Sequence, residues 1–427
     1  MGLQIESKLH DAGNLARLKA EPWMQTLLLS EIFPPKVGGS SRWFWEVYRR
    51  MPSRSYSIAA GEDPRQRDFD ATHSLRVYRL PLELPPGLLR PRNLASHMRT
   101  AKTLGNLVRS QRIQMIHCGR CLPEGLLALF IQLKTGVPYG CFAHGEEVNP
   151  SNLETCPPWF RRAVYSSREL GLLAGVVLRR ANFLVANSLN TRRILTERWN
   201  LPANRVHVIH PGVDTNRYRP ALKSQSDRER LGWENRRVIL TVGRLTKRKG
   251  HDIMLGALRD LCLAYPEILY SIVGDGEEIG NLQRLTRELH LERHVQFLNE
   301  VDEDQLLQCY QHCDLFVLPN RQVRGDIEGF GMVLLEAQAC GKPVIAGDSG
   351  GTAETMRVPD TGLIVPCDHP ALLARTLNEL LGDPARLEAM GTAARDWAVT
   401  RFDWDPLARQ ATALFDQQSR LNTNDIS

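Results

Sequence analysis

The chain has 427 residues, of which 42% are hydrophobic and 24% charged, and a net charge of +6. That length exceeds one ordinary core and points to two domains of roughly 200 residues each. The composition is that of a soluble globular protein and excludes a membrane-spanning class, because the longest apolar run, Leu170–Leu178, is about half of what a bilayer requires.

The first residues, MGLQIESKLHDAGNLARLKA, are polar and mixed in charge. They lack the apolar centre of a signal peptide, and Glu6 excludes a myristoylation signal. Residues 1–22 therefore read as an extension. Thr26–Ser30 reads as a strand, followed by the loop FPPKVGGSS, with Gly38 and Gly39, and a helix from Trp43. Gln114–His117 is a second strand, with a helix over Gly125–Lys134. Tyr139–Ala143 is a strand ending at His144, and Phe183–Asn187 a strand followed by Ser188-Leu-Asn-Thr and a helix. Val206–Ile209, closed by His210-Pro-Gly-Val-Asp214, ends the first half.

Residues 215–236 are polar and turn-rich, so a domain boundary is expected there. The alternation then restarts with Val238–Val242, the loop Gly243–Gly250 and a helix to Ala264. Leu269–Val273 ends in Gly274-Asp-Gly276. Val295–Leu298, Leu315–Leu318 and Val344–Ala346 are further strands, and Gln305–Cys309 opens a short helix. Helices over Ala371–Leu381, Ala385–Val399 and Asp405–Phe415 follow. Alternating strands and helices imply α/β architecture with parallel sheets covered on both faces. Two doubly wound, Rossmann-like domains are expected, 23–215 and 216–404, facing a central cleft. Residues 405–427 read as a C-terminal helix crossing back to the first domain. Doubly wound sheets bind ligands beyond the C-terminal ends of their strands.

Charge is uneven: residues 1–215 hold 29 Lys+Arg against 17 Asp+Glu, and residues 216–427 hold 25 against 31. A basic first half suits an anionic partner such as lipid head groups, a phosphorylated acceptor or nucleic acid, or is a solvated arginine-rich surface. The nine cysteines are scattered, mostly in apolar runs. Cys118 and Cys121 follow His117, and Cys309 and Cys313 flank His312, but no second ligand pair at zinc spacing lies near either. Buried reduced thiols of a cytoplasmic protein are the plainer reading.

Two segments carry chemistry. In DIEGFGMVLLEAQACGKPVIAG, residues 326–347, a helix is expected from Gly331 or Met332 to Cys340, stopped by Gly341. Gly329 and Gly331 place open backbone N–H groups at its start. Glu328 and Glu336 in such an apolar scaffold read as clamps for vicinal hydroxyls, Glu336 not being expected to fill core. Alternatively, Glu336 is a solvated helix position and Glu328 a helix-dipole partner. In the loop GRLTKRKG, Arg244, Lys247, Arg248 and Lys249 cluster at a strand end before a helix. A diphosphate needs such donors, although a charge run is also an ordinary solvated face. The spacing fits neither a Walker loop nor a full dinucleotide fingerprint.

These residues resemble the retaining glycosyltransferases of the GT-B fold, the large family 4 group. Gly243-Arg-Leu…Lys249-Gly250, Val273-Gly-Asp-Gly276, Glu328-Gly-Phe-Gly…Glu336-Ala and Gly347-Asp-Ser-Gly-Gly351…Glu354 occur in that order. Glu328/Glu336 is similar to that family's E-x7-E motif. Gly38-Gly39, His144 and Pro211-Gly-Val-Asp214 match its layout. The resemblance implies that Arg244 and Lys249 bind the nucleotide diphosphate and stabilise it as leaving group. It implies Glu336 on the ribose, and Glu328 with the backbone around Phe330 and Gly331 on the donor sugar. Gly38 and Gly39 would close over the phosphates or admit the acceptor, and His144 would contact the sugar near its anomeric centre. Catalytic roles are thus expected for His144, Arg244, Lys249 and Glu328. Donor binding is expected from these and from Gly38, Gly39, Phe330, Gly331 and Glu336.

No resident cofactor or metal is expected. Asp68-Phe-Asp70, Asp302-Glu-Asp304 and Asp403-Trp-Asp405 read as surface or capping carboxylates. The stretch Arg324-Gly-Asp-Ile-Glu-Gly most resembles the phosphatidylinositol mannoside mannosyltransferase branch. That implies a hexosyltransferase taking mannose from GDP-mannose to a lipid-linked or carbohydrate acceptor. The alternatives are a UDP-hexose donor with a soluble acceptor, or a sugar-nucleotide epimerase of the same fold. A cytoplasmic place, peripheral on an anionic membrane, would suit the basic half and Trp159–Tyr165. Nucleic acid as partner would leave Glu328 and Glu336 unexplained.

Overall fold

The structure is a computed structural model that describes residues 25–52, 55–83, 91–149, 167–222, 224–299 and 301–424. The N-terminal extension and the Trp159–Tyr165 segment lie outside the described residues. Seven strands form the first sheet: β1 Thr26–Ser30, β2 Tyr56–Gly61, β3 Val77–Leu80, β4 Met115–Cys118, β5 Tyr139–Ala143, β6 Phe183–Ala186 and β7 Val206–Val208. Their order is β3-β2-β1-β4-β5-β6-β7, every pair parallel. Six strands form the second: β8 Arg237–Val242, β9 Ile268–Val273, β10 Val295–Leu298, β11 Leu315–Leu318, β12 Val344–Gly347 and β13 Gly362–Val365. Their order is β10-β9-β8-β11-β12-β13, again all parallel. Two doubly wound α/β units result, as expected from the alternation. The strand order reverses between β1 and β4 and between β8 and β11, and ligand crevices open beyond strand ends at such reversals.

The strands are apolar on both faces because helices cover both. Thr26–Ser30 and Ile268–Val273 are buried at every position. Strands β2, β3 and β13 were not foreseen. YSIAAG is buried throughout, but serine, alanine and glycine carry little apolar signal; VYRL is only half-buried.

The chain crosses between the units twice, and the crossings run side by side. Val213 N–H donates to Phe402 O at 2.8 Å. A Cβ on Gly212 would lie 2.6 Å from that same carbonyl oxygen, so only glycine allows the approach. Beyond the second crossing, the helix Trp404–Asn424 puts Trp404, Leu407, Ala411 and Phe415 into a core with Phe33, Trp43, Tyr48 and Phe142 of the first unit. Of the described cysteines, only Cys262 is not buried, and none is in a disulfide.

Each core also holds a histidine. His117 Nδ1 accepts from Tyr48 Oη at 2.7 Å and His251 Nδ1 lies 2.9 Å from Tyr270 Oη. Burial pushes both from 6.5 down to about 3. A base whose folded pKa is depressed binds its proton more readily in the unfolded chain. Its contribution is therefore present above pH 6.5 and is lost as pH falls towards 3, by up to about 1.4 kcal/mol per pH unit for each histidine. Denaturant titrations are expected to show stability falling from pH 7 to pH 5, with a shallower fall in His117→Gln. A flat profile over that range would contradict neutral core histidines.

Candidate active site

The second unit's half of the cleft is built at the β8/β11 reversal. After β8, Gly243–Gly250 is held by backbone contact with the Val273–Gly276 turn. Gly243 N–H donates to Val273 O at 3.0 Å and Leu245 N–H to Asp275 O at 2.9 Å. A Cβ on Gly274 would be 2.2 Å from Gly243 O, and one on Gly276 2.5 Å from Leu245 O. Gly274-Asp-Gly276 is thus a scaffold for the cationic loop. Gly250, at φ 71, ends the short turn Lys247–Lys249 and aims Lys249 inward.

Lys249 is buried, and its Nζ donates to Glu328 Oε2 at 2.6 Å; Arg248 Nη1 donates to the same oxygen at 2.6 Å. Burial alone would raise the Glu328 carboxyl, but Lys249 and Arg248 outweigh it and hold it at about 2. Glu328 Oε1 has no hydrogen-bond partner among the described residues. Arg244, on the same loop, is exposed and makes no ion pair among the described residues.

The Glu328 loop rests on the turn after β12. A Cβ on Gly350 would be 1.9 Å from Glu328 O, and one on Gly351 2.5 Å from Gly329 O. Gly331, at φ 100, caps the helix Met332–Ala339, and Gly341, at φ 73, follows its end. The Phe330 ring is buried, 5.2 Å from the His210 ring, so only the backbone there can face a ligand.

Glu336 corrects one expectation. It is 6% exposed, with Oε1 accepting from Arg42 Nη1 at 2.5 Å and Oε2 from Tyr310 Oη at 2.7 Å. Arg42 also donates to Tyr218 Oη at 3.3 Å. The side chain is a buried, fully partnered group joining the two units, neither a solvated helix position nor an idle clamp. Glu336→Ala is expected to lower the Tm as well as nucleotide affinity, since Arg42 and Tyr310 lose their acceptor. The affinity loss is expected at about 1.5–3 kcal/mol, and calorimetry beside a melting curve checks both. Unchanged nucleotide affinity would leave Glu336 a purely interdomain tie.

The first unit's half comes from the ends of β1, β4, β5 and β6. Lys36 Nζ and Arg120 Nη2 each donate to Glu31 at 2.5 Å, while Glu31 N–H donates to Glu124 Oε1 at 2.7 Å. This network anchors the loop carrying Gly38 and Gly39. A Cβ on Gly39 would lie 3.4 Å from Met332 Sδ, whereas one on Gly38 would meet open space. His144 Nε2 donates to Gly119 O at 3.0 Å, leaving Nδ1 to accept from Ser40 Oγ at 3.3 Å. Burial, opposed by the Gly119 carbonyl, pushes His144 down to about 4, so it is neutral near pH 7. Glu354 accepts the N–H groups of Leu189 and Asn190 at 2.6 and 2.9 Å and lies 2.9 Å from His210 Nε2.

Lys249, Glu328 and the Gly331 helix start thus meet below Gly39, with Gly145 against Gly329. Arg244 stands outside that buried cluster. Arg42, Tyr310 and the Arg248–Glu328 pairing were missed. Only Arg42, three residues beyond Gly39, carried a signal, as a cation at a helix start. Of the Asp-x-Asp stretches, Asp302 caps the helix Glu303–His312, Asp70 pairs with Arg79, and Asp403 accepts from Asp405 N–H. No group of three described residues has metal-ligand clustering. No described helix is long and apolar enough to cross a membrane.

Two doubly wound units closing strand ends over a cleft of cations and carboxylates define a GT-B glycosyltransferase. The chain belongs to the family 4 glycosyltransferases: residues 37–217 match "Glycosyltransferase Family 4" and residues 223–397 match "Glycosyl transferases group 1". It is 31% identical, over 88% of this chain and 94% of the relative, to the GDP-mannose-dependent alpha-(1-6)-phosphatidylinositol monomannoside mannosyltransferase of Mycolicibacterium smegmatis. It is 28% identical, over 93% and 99%, to the GDP-mannose-dependent monoacylated alpha-(1-6)-phosphatidylinositol monomannoside mannosyltransferase of Corynebacterium glutamicum. The fold matches HepE of Anabaena, solved in complex with UDP, at TM-score 0.74 and 21% identity, covering 92% of this chain and 100% of that one. Sucrose-phosphate synthase from Thermosynechococcus elongatus matches at TM-score 0.75 and 21% identity, covering 92% and 98%.

Proposed function

We propose that this enzyme transfers mannose from GDP-mannose to a phosphatidylinositol-mannoside type of lipid acceptor, with retention of configuration. The observation that carries the site reading is the division of labour on Glu328. Its Oε2 gathers Lys249 and Arg248, and its Oε1 has no partner among the described residues. A carboxylate oxygen in that state accepts a sugar hydroxyl, while a lysine ammonium with three donors still has two for a diphosphate. Arg244 on the same loop adds a further cation. The mannose–phosphate C–O bond breaks and the acceptor oxygen bonds to the same face of the anomeric carbon. Both His144 nitrogens are engaged, so the acceptor proton passes to the departing phosphate oxygen. Donor and acceptor are supported by the names of the mycobacterial and corynebacterial relatives.

Thermal-shift screening of GDP-mannose against UDP-glucose, UDP-galactose and UDP-N-acetylglucosamine, followed by mass spectrometry of products from a lipid extract, tests this. Stabilisation by GDP-mannose and a hexose added to a glycolipid are expected. A UDP-hexose preference, or an epimerised sugar with no acceptor, would replace the reading.

The lipid acceptor also predicts membrane contact. The helix Ser167–Arg180 exposes Leu172 at 67% and Val176 at 44%, and Arg179 and Arg180 are exposed beside them. Apolar side chains flanked by cations suit an anionic interface. Liposome co-sedimentation is expected to rise with anionic lipid and fall with salt. Equal partition onto neutral and anionic vesicles would favour a soluble acceptor.

A further inference from the structure

Asn187 follows the last residue of β6, and its backbone N–H donates to Ala143 O at 3.3 Å, so it stands next to His144 at the neighbouring strand end. The residue is 6% exposed. Its Oδ1 accepts from Thr191 Oγ1 at 2.7 Å and from Ser188 Oγ at 3.3 Å. Thr191 N–H donates to Ser188 Oγ at 3.0 Å and Ser188 Oγ to Thr191 Oγ1 at 2.9 Å, so this chain of donors ends on the amide oxygen and leaves the NH2 group on the opposite side. The NH2 group has no acceptor among the described residues. It faces Gly329 across the cleft: a Cβ on Gly329 would lie 3.1 Å from Asn187 Nδ2 and 3.6 Å from Gly145 N. That amide nitrogen opens onto the cleft rather than into the core, and it is aimed at the glycine next to Glu328. Gly329 leaves open the space that any side chain would fill.

We propose that Asn187 is a donor-sugar binding residue, its Nδ2 donating to a hydroxyl oxygen of the hexose while Glu328 Oε1 accepts from another hydroxyl. This rests on the nucleotide-sugar reading above. The ligand class follows from charge. Lys249 and Arg248 belong to the other wall, beside the diphosphate. Asn187 is neutral and suits an uncharged hydroxyl. The two walls together read a pair of hydroxyls, one as acceptor and one as donor, and so distinguish epimeric hexoses.

The test is calorimetry on the full chain with GDP-mannose, GDP, UDP-glucose and UDP, comparing the parent with Asn187→Ala and Asn187→Asp. Asn187→Asp is nearly isosteric and keeps the acceptor for Thr191 and Ser188, so it serves if the alanine variant fails to fold. The preferred nucleotide sugar is expected to bind about tenfold more weakly to either variant, the loss of one hydrogen bond. Affinity for the matching free nucleotide is expected to stay unchanged. Equal losses with and without the sugar would make Asn187 a support for Thr191 and Ser188 and overturn the proposal. Unchanged sugar-nucleotide affinity would overturn it too. Glu328→Ala separates the underlying reading: if that variant, folded at the assay temperature, binds every nucleotide sugar as the parent does, the sugar is not held on Glu328, and the donor reading fails in its own right.

Discussion

Lys249→Ala is expected to lower kcat by about 10²–10³, the typical cost of removing one preorganised donor from a site of developing charge. Lys249 is nearly buried, is aimed by Gly250, and donates to Glu328 at 2.6 Å. In the proposed reaction its charge would meet a diphosphate whose negative charge grows as the glycosidic bond breaks. On the proposed reading the side chain stabilises the transition state more than the bound donor, and kcat is expected to fall further than donor affinity. Arg244→Ala is expected to act in the same direction. The double variant is expected to lose less than the product of the two, because both act on one leaving group. Activity is expected to persist in EDTA if, as proposed, Lys249 and Arg244 supply the charge. Steady-state kinetics with the preferred donor measure all of this. Abolition by EDTA with rescue by a divalent ion would refute a cation clamp formed by the protein alone.

Glu328→Ala is expected to damage both stability and catalysis. It strands Lys249 in a largely buried place and removes one of the two carboxylates paired with Arg248, which keeps Asp326 at 3.3 Å. Breaking a buried pair from one side costs about 3–5 kcal/mol, so a clear fall in Tm should accompany the loss of turnover. Glu328→Gln keeps an acceptor of similar shape; a smaller drop in Tm with a comparable drop in kcat/KM is expected. The pH dependence has a definite sign. The Glu328 carboxyl is held at about 2 against an ordinary 4.5, so its contribution is complete above pH 4.5 and is lost as pH falls towards 2. If Glu328→Ala melted like the parent while losing turnover, the ion pairs would contribute nothing to the fold.

Much was legible in the residues themselves. Strand-and-helix alternation is a local signal, and it was enough for two doubly wound units. Gly331 and Gly341 marked both ends of the helix Met332–Ala339 within a residue or two. The cations of Gly243–Gly250 and the carboxylates of Glu328–Glu336 were recognisable because charge among packed apolar residues needs a reason. Strands β2 and β3 were not, because small or half-buried residues give no periodicity, and β13, Gly-Leu-Ile-Val, is too short a run to stand out.

What the chain pattern could not state is which charge meets which. Glu328 finds Lys249 from 79 positions away because β8 and β11 are neighbours in the sheet. Glu336 finds Arg42 from 294 positions away because two separate units dock at their strand ends. The same docking brings Asn187 opposite Gly329. Local sequence determines where a helix starts and which face is apolar, since those depend on neighbours along the chain. Partners of buried polar groups depend on strand order and domain contact, and only the tertiary structure decides them.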